Sequence, residues 1–171
     1  MVMKEKIHIR KGVRRDIASI YQLIRELAVY ERAEEEVQTN VVQMEEDGFG
    51  KRPLFEFFVA ETSKGEIVGV ALFYFGYSTW KGKKLYLDDL IVTENYRRHG
   101  IGQMLLDRLV SYAIEQDVGQ IRWHVLEWNE PAIKFYEKMG VEFDDEWITC
   151  KMSRARMETY EKARLGKVSS N

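Results

Sequence analysis

Leu85-Tyr86-Leu87-Asp88-Asp89-Leu90-Ile91-Val92, followed after Thr93-Glu94-Asn95 by Tyr96-Arg97-Arg98-His99-Gly100-Ile101-Gly102, is the stretch on which the fold turns. The first eight residues read as a strand and the glycine pair as a loop. Met104, Leu105, Leu109, Ala113 and Ile114 then mark one face of a helix. A strand, a glycine loop and a helix in that order turn successive backbone N–H groups inward at the positive end of the helix, a nest that suits a diphosphate. Gly100 and Gly102 carry no Cβ to block such a ligand. Arg97 and Arg98 add charge beside it, or face solvent as paired arginines commonly do. No third glycine follows at the dinucleotide-fold position, and no Gly-Lys-Ser or Gly-Lys-Thr is present. A plain helix-start turn is the alternative reading.

Outward from this stretch the chain alternates helices with strand runs. Ile7 to Arg10 reads as a strand; Ile17, Ile20, Leu23, Ile24 and Leu27 recur at helical spacing after a possible cap at Arg15-Asp16. Glu34-Glu35-Glu36 and Val41 to Asp47 suggest a shorter helix ended by Gly48-Phe49-Gly50. Leu54 to Glu61, Ile67 to Tyr77 and Lys84 to Thr93 are β-rich and separated by Ser63-Lys64-Gly65 and Trp80-Lys81-Gly82-Lys83, as in an antiparallel meander. Beyond the glycine loop, Gln120 to Leu126 returns to strand character, Asn129 through Met139 resembles a helix closed by Gly140, and Val141 to Met152 reads as a last strand or strand pair. Ser153 to Lys167 reads as a charged surface helix. The expectation is a single domain over residues 1–171, with a frayed tail after about 165. Its fold class is α/β or α+β, with helices layered around one mixed sheet.

Composition narrows the function classes. Twenty-six basic and 28 acidic side chains leave a formal charge of −2, which supplies no global field for nucleic acid or an anionic membrane. The longest apolar run, Ile67 to Tyr77, is interrupted by Gly69 and Gly76 and falls short of the roughly 20 residues that cross a bilayer. The opening Met-Val-Met-Lys-Glu-Lys has no apolar stretch of the secretory kind, so a cytoplasmic location is expected. Cys150 is the single cysteine and cannot form an internal disulfide; among apolar neighbours it reads as a small buried hydrophobe. His8, His99 and His124 show no metal-ligand spacing, so no metal is expected. No Gly-x-Ser-x-Gly elbow is present.

Arg-x-x-Gly-x-Gly at 97 to 102, set between strand and helix, resembles the acetyl-coenzyme A motif of the GNAT superfamily. Within it the chain is most similar to the diamine acetyltransferases of the spermidine/spermine and thialysine type. That likeness runs through Leu23-Ile24-Arg25-Glu26-Leu27-Ala28, Glu46-Asp47-Gly48-Phe49-Gly50, Tyr77-Ser78-Thr79-Trp80-Lys81-Gly82, Tyr86-Leu87-Asp88-Asp89 and Glu127-Trp128-Asn129-Glu130-Pro131. The resemblance implies a mostly antiparallel sheet splayed at a cofactor cleft, acetyl-CoA as cosubstrate, and a homodimer. It implies that the backbone of Leu90, Ile91 and Val92 pairs with the pantetheine arm. Arg97, Arg98, His99, Gly100, Ile101, Gly102 and Gln103 would hold the pyrophosphate, and Asn129 would contact the cofactor.

A primary alkylamine, with a pKa near 10.4, is a free nucleophile in only about one molecule in a few thousand at neutral pH, so a proton acceptor is needed. Asp88 and Asp89, at the end of a strand just before the cofactor edge, are the candidates; alternation lets only one of them point into a given groove. Related enzymes carry Glu-Asp at this place, so Asp88 is shorter by one methylene and suits a water-mediated base. A solvated carboxylate pair is the alternative. Tyr136 has the phenolic proton a departing sulfur requires; spacing alone favours an aromatic core residue beside Phe135, and the resemblance reverses that weighting and assigns it as general acid. The resemblance points to Tyr30, Glu31, Trp80, Asp88 and Asp89 as substrate-binding, acids with an aromatic wall for a cation. Ser78 stands where polyamine-acetylating relatives carry an acid, which favours a shorter diamine or lysine analogue. Acetylation of a protein lysine or N-terminus, and a CoA-binding module without catalysis, stay open.

Overall fold

The computed structural model describes residues 5–168, packed as two compact units, Met1–His124 and Val125–Asn171. In the first unit β1 (Ile7–Lys11) leads through a 3-10 turn (Arg14–Asp16) into α1 (Ile17–Tyr30) and, past a second turn at Glu34–Glu36, into α2 (Val41–Phe49). β2 (Glu56–Thr62), β3 (Ile67–Ser78) and β4 (Gly82–Val92) follow as the meander. A turn at Glu94–Tyr96 then leads to α3 (Ile101–Glu115) and β5 (Gln120–Arg122). The strands pair in sequence order, antiparallel from β1 to β4 and parallel between β4 and β5. This is the mixed, mostly antiparallel sheet flanked by helices that the sequence leads one to expect.

Both faces of β2 and β3 are covered, which is why their sequences are continuously apolar rather than alternating. On one face Ile17, Ile20 and Leu23 of α1 and Met44 of α2 pack against Phe57, Val59, Val70, Leu72 and Ile91. On the other, Tyr112 of α3 meets the rings of Phe58 and Phe73. Leu105, Leu106 and Leu109 are buried along the same helix. Asp16 does not cap α1 with its side chain. Its carboxylate accepts instead from the Val13 N–H at 2.8 Å and from both terminal nitrogens of Arg10 at 2.7 and 2.9 Å. Arg10 donates onward to Glu61, so one guanidinium ties β1, the first turn and β2 together.

The sheet opens where β5 ends. β5 pairs with β4 at only three rungs, Lys84↔Gln120, Leu85↔Ile121 and Tyr86↔Arg122, so among the described residues β4 has no neighbour on that side from Leu87 onward. The strand expected to reach Leu126 therefore stops four residues earlier. Ser78 shapes the β3–β4 hairpin, its hydroxyl accepting from the N–H groups of Trp80 and Lys81.

The second unit holds α4 (Glu130–Glu137) and α5 (Arg154–Val168). Asn129 caps α4 by accepting from Ala132 N–H at 3.4 Å, with Pro131 in the first turn. The last strand expected over Val141 to Met152 is absent: these described residues are irregular. A strand needs a neighbour for its backbone groups, and here the acidic run folds locally, Glu146 N–H donating to the Asp144 side chain. Cys150 is accordingly exposed rather than a buried hydrophobe, because its burial presupposed that strand. The tail beyond residue 168 lies outside the described residues. No helix of the described residues is long and apolar enough to cross a membrane.

Candidate active site

The loop between β4 and α3 is built by tethers at its start and left-handed turns at its centre. Arg97 donates from Nε to the Val92 carbonyl at 2.9 Å, pairs with Glu26 of α1 at 3.4 Å and lies over the Tyr30 ring at 5.2 Å. Glu26 also accepts the Glu94 N–H at 2.9 Å. The Arg97 guanidinium thus pins the loop to strand end and helix, a positioning task that the sequence did not distinguish from ligand contact. Arg98 (φ 61°) and Gly100 (φ 80°) both occupy the left-handed region. The first backbone bond into α3 runs from Met104 N–H to Gly100 C=O. Among the described residues the backbone N–H groups from Gly100 to Gln103 are given no backbone or side-chain acceptor, as the first turn of a helix leaves them. A Cβ built at Gly100 or Gly102 would meet nothing within 4 Å. His99 is exposed with its Nδ1 at 3.2 Å from the Tyr96 carbonyl, and Gln103 donates to Asp107.

The acids owe their arrangement to a bulge. β3 and β4 pair Phe73↔Leu87 and then Leu72↔Asp89, so Asp88 is an extra residue with no partner in register. Opposed residues share a face, which sets Asp89 with Leu72 and Ile91 on the α1 side of the sheet. Tyr74 is two residues from Leu72 and stands opposite Tyr86, so Tyr86 and, two residues beyond it, Asp88 lie on that side as well, the extra residue of the bulge absorbing the change of phase. Strict alternation, which would have parted the two carboxylates, fails at this bulge.

Burial raises the Asp89 carboxyl, and the neighbouring charges of Asp88 and Glu31 raise it further, to about 7. Asp88, the more exposed of the pair, is also raised by desolvation, as is Glu31 just past the end of α1. Tyr74 and Tyr86 stand opposite each other on β3 and β4 with stacked rings 5.2 Å apart, and the Tyr86 hydroxyl is hydrogen-bonded to His124 Nδ1. Sequence reasoning missed these three residues. Strand alternation could have found the two tyrosines; His124, weighed only as a metal ligand, had no signal until the fold carried it to Tyr86.

The structure thus brings together Tyr30, Glu31, Asp88 and Asp89 and the start of the loop. It does not bring Trp80 to them: Trp80 is 82% exposed at the hairpin tip. Asp88 lies six residues up β4 from Gly82, roughly 20 Å at about 3.3 Å per residue. Leu90 and Val92 are half-buried and Ile91 is buried in the core, all on the strand whose outer edge is unpaired. In the second unit, α4 carries both Asn129, at its cap, and Tyr136, a buried phenol pushed up to about 12 by desolvation. A separate open depression of about 290 Å³, lined by Lys11, Phe49, Phe55, Glu56, Phe57 and Tyr112 among others, shares no residue with this site.

An unpaired strand edge, a run of amides without acceptors and two glycines facing open space fit a long ligand with an amide-bearing arm and a diphosphate. The profile of the GNAT acetyltransferase family matches residues 17–141. Thialysine N-epsilon-acetyltransferase of Bos taurus is 37% identical over 143 residues, which cover 80% of this chain and 84% of the relative. Spermidine/spermine N(1)-acetyltransferase-like protein 1 of Homo sapiens is 36% identical over 138 residues, 77% of this chain and 20% of that longer protein. Among solved structures, an integron cassette protein from the mobile metagenome of V. cholerae superposes with a TM-score of 0.75 at 19% identity, covering 91% of this chain and 98% of its own, a likeness of fold alone.

Proposed function

Since the chain belongs to the GNAT family of acetyltransferases, we propose that it transfers the acetyl group of acetyl-CoA directly to the primary amine of a small cationic molecule. The observation that carries this reading is the bulge, which sets Asp88 beside Asp89 next to an unpaired strand edge, with Glu31 at the end of α1 near enough for its charge to act on Asp89. Bound acetyl-CoA would supply a thioester-activated acetyl group. Leu90 to Val92 would pair with its amide arm, the amides of residues 98–103 with its diphosphate, and Asn129 would make a further contact.

The chain's own work is to manage charge and protons. Three clustered carboxyls attract a cationic amine; the one near pH 7 is half ionised at neutrality and accepts a proton without holding it too tightly. The amine proton passes to a carboxylate oxygen, directly or through one water, as the nitrogen lone pair becomes free to form the new C–N bond. As that bond forms the thioester C–S bond would break, and Tyr136, whose phenol is raised to about 12 and so keeps its proton at working pH, would give that proton to the departing CoA sulfur as general acid and regain one from solvent.

Ser78 is a turn-former here rather than an acid, and the Bos taurus relative is named for thialysine, so the favoured substrates are short diamines and lysine analogues. The family resemblance adds a homodimer and the opening Met-Val-Met-Lys-Glu-Lys a cytoplasmic location; sedimentation measures the assembly. The deciding experiment is CoA release with acetyl-CoA and a matched panel of diamines, polyamines, thialysine, lysine and peptide amines. Selective turnover of one small-amine class supports the reading. Faster turnover of peptide amines, or equal turnover of spermine and the short amines, overturns the substrate class; cofactor binding without any turnover overturns the transferase assignment.

A further inference from the structure

The unpaired edge of β4 is not uniformly open, and the difference lies in one carbonyl. Across a planar trans peptide the C=O of one residue and the N–H of the next point in opposite directions. Thr93 N–H donates to the Val68 carbonyl of β3 at 3.0 Å, so the Val92 carbonyl points away from β3, to the side on which β4 has no neighbour. Alternation carries the same sense back along the strand: the N–H and C=O of Leu90 and the N–H of Val92 face the open side, and those of Ile91 face β3. The Val92 carbonyl is already taken, because Arg97 Nε donates to it at 2.9 Å. The guanidinium is held there from two further directions, by Glu26 Oε1 at 3.4 Å and by the Tyr30 ring at 5.2 Å. Glu26 is fixed in turn by the Glu94 N–H, which donates to the same oxygen at 2.9 Å. Beyond the bulge the edge thus offers a ligand the Leu90 and Val92 N–H groups as donors and the Leu90 carbonyl as acceptor.

We propose that Arg97 is a positioning residue that sets the register of the cofactor's amide arm: by occupying the Val92 carbonyl it leaves Leu90 as the carbonyl to which an amide N–H of the arm donates. The inference rests on the reading that acetyl-CoA lies along this edge, and it adds what decides where along the edge the arm is fixed. Two free carbonyls two residues apart would offer two registers about 6.6 Å apart. Val92 is the nearer of the two to the glycine loop, so an arm bonded there would hold its thioester that much further from Asp88 and Asp89. Reacting atoms must approach to about 3–3.5 Å, so a slipped arm binds without reacting. Arg97 therefore acts through the Val92 carbonyl, by removing the unproductive register.

The backbone carbonyl carbons of Leu90 and Val92, followed by NMR as CoA is added, test this without turnover. In the parent protein the Leu90 signal should move on saturation and the Val92 signal should stay, because Arg97 is its partner in both states. Arg97→Met keeps the stem and removes the donors, so the Val92 signal should shift in the free protein and shift again with CoA. With acetyl-CoA and the best amine, this variant should lose at least about tenfold in kcat while CoA affinity stays within about threefold, since the arm still finds a carbonyl. Glu26→Gln breaks the ion pair but leaves Nε on Val92, and should keep the Val92 signal silent and kcat within about threefold. Three results overturn the proposal and leave the cofactor reading standing: a Val92 signal that responds to CoA in the parent, bound CoA that leaves Leu90 unmoved, or a Glu26→Gln loss in kcat equal to that of Arg97→Met. Absence of any CoA binding would instead sink the cofactor reading and this inference with it. The parent titration needs no variant, so it decides even where Arg97→Met folds poorly.

Discussion

Asp89 concentrates the residue-scale argument. An aspartate ordinarily titrates near 3.9, and burial beside Asp88 and Glu31 holds this one at about 7. Its folded pKa is raised, so its contribution to stability is complete below the unfolded value and is lost as pH rises through 7. Asp89→Asn is therefore expected to raise the melting temperature at pH 8, with the gain fading toward pH 4, while acetyl transfer falls at least about tenfold. Thermal melts across pH with parallel rate assays check both halves, and a variant less stable at pH 8 would contradict the strained-carboxyl picture. Tyr136→Phe keeps the ring and removes only the proton. Turnover is expected to drop at least about tenfold with CoA affinity retained, and unchanged turnover would remove the general-acid role.

At the scale of elements, the start of α3 separates ligand chemistry from folding. A Cβ at Gly102 meets no atom of the protein within 4 Å, and the residue sits in the first turn of the helix. Gly102→Ala should leave stability unchanged or raise it by up to about 1 kcal/mol, since alanine suits a helix better than glycine. The same methyl would stand among the amides proposed for the diphosphate. Calorimetric CoA affinity is expected to fall at least tenfold in a protein that melts no lower than the parent; full affinity would place the diphosphate elsewhere. Gly12 is the contrasting case, since a Cβ there would lie 1.9 Å from the Phe57 ring, so its role is packing.

For the whole molecule, the Arg10 guanidinium is a structural joint well away from the acids. Burial opposes ionisation of Asp16, which is 4% exposed, yet the hydrogen bonds from Arg10 and the Val13 N–H outweigh it and hold the carboxyl below its usual range. A depressed folded pKa gives stability that is present above the unfolded value and lost as pH falls through the folded one. Asp16→Asn should cost about 2 kcal/mol at neutral pH, and the difference should close in acid. Urea melts at pH 7 and pH 3 measure it, and an equal loss at both would show that charge is not the source.

Much of the chain was legible because its signals are local. Helical spacing in α1 and α3, continuous apolar strands and the glycine pair each depend on neighbours in sequence, and each appears where its residues place it. The family motif likewise needed only residues 97 to 102 and their flanks. What stayed hidden depends on partners distant in sequence. Val141 to Met152 alternates like a strand but finds no pairing partner among the described residues, Trp80 sits at a hairpin tip apart from the acids its motif suggested, and His124 meets Tyr86 only because β5 returns parallel to β4. The sequence by itself determined the order of elements, the family and the two aspartates. Only the tertiary structure decided that both carboxylates share a side, because a bulge is a mismatch between two strands and is written in neither alone.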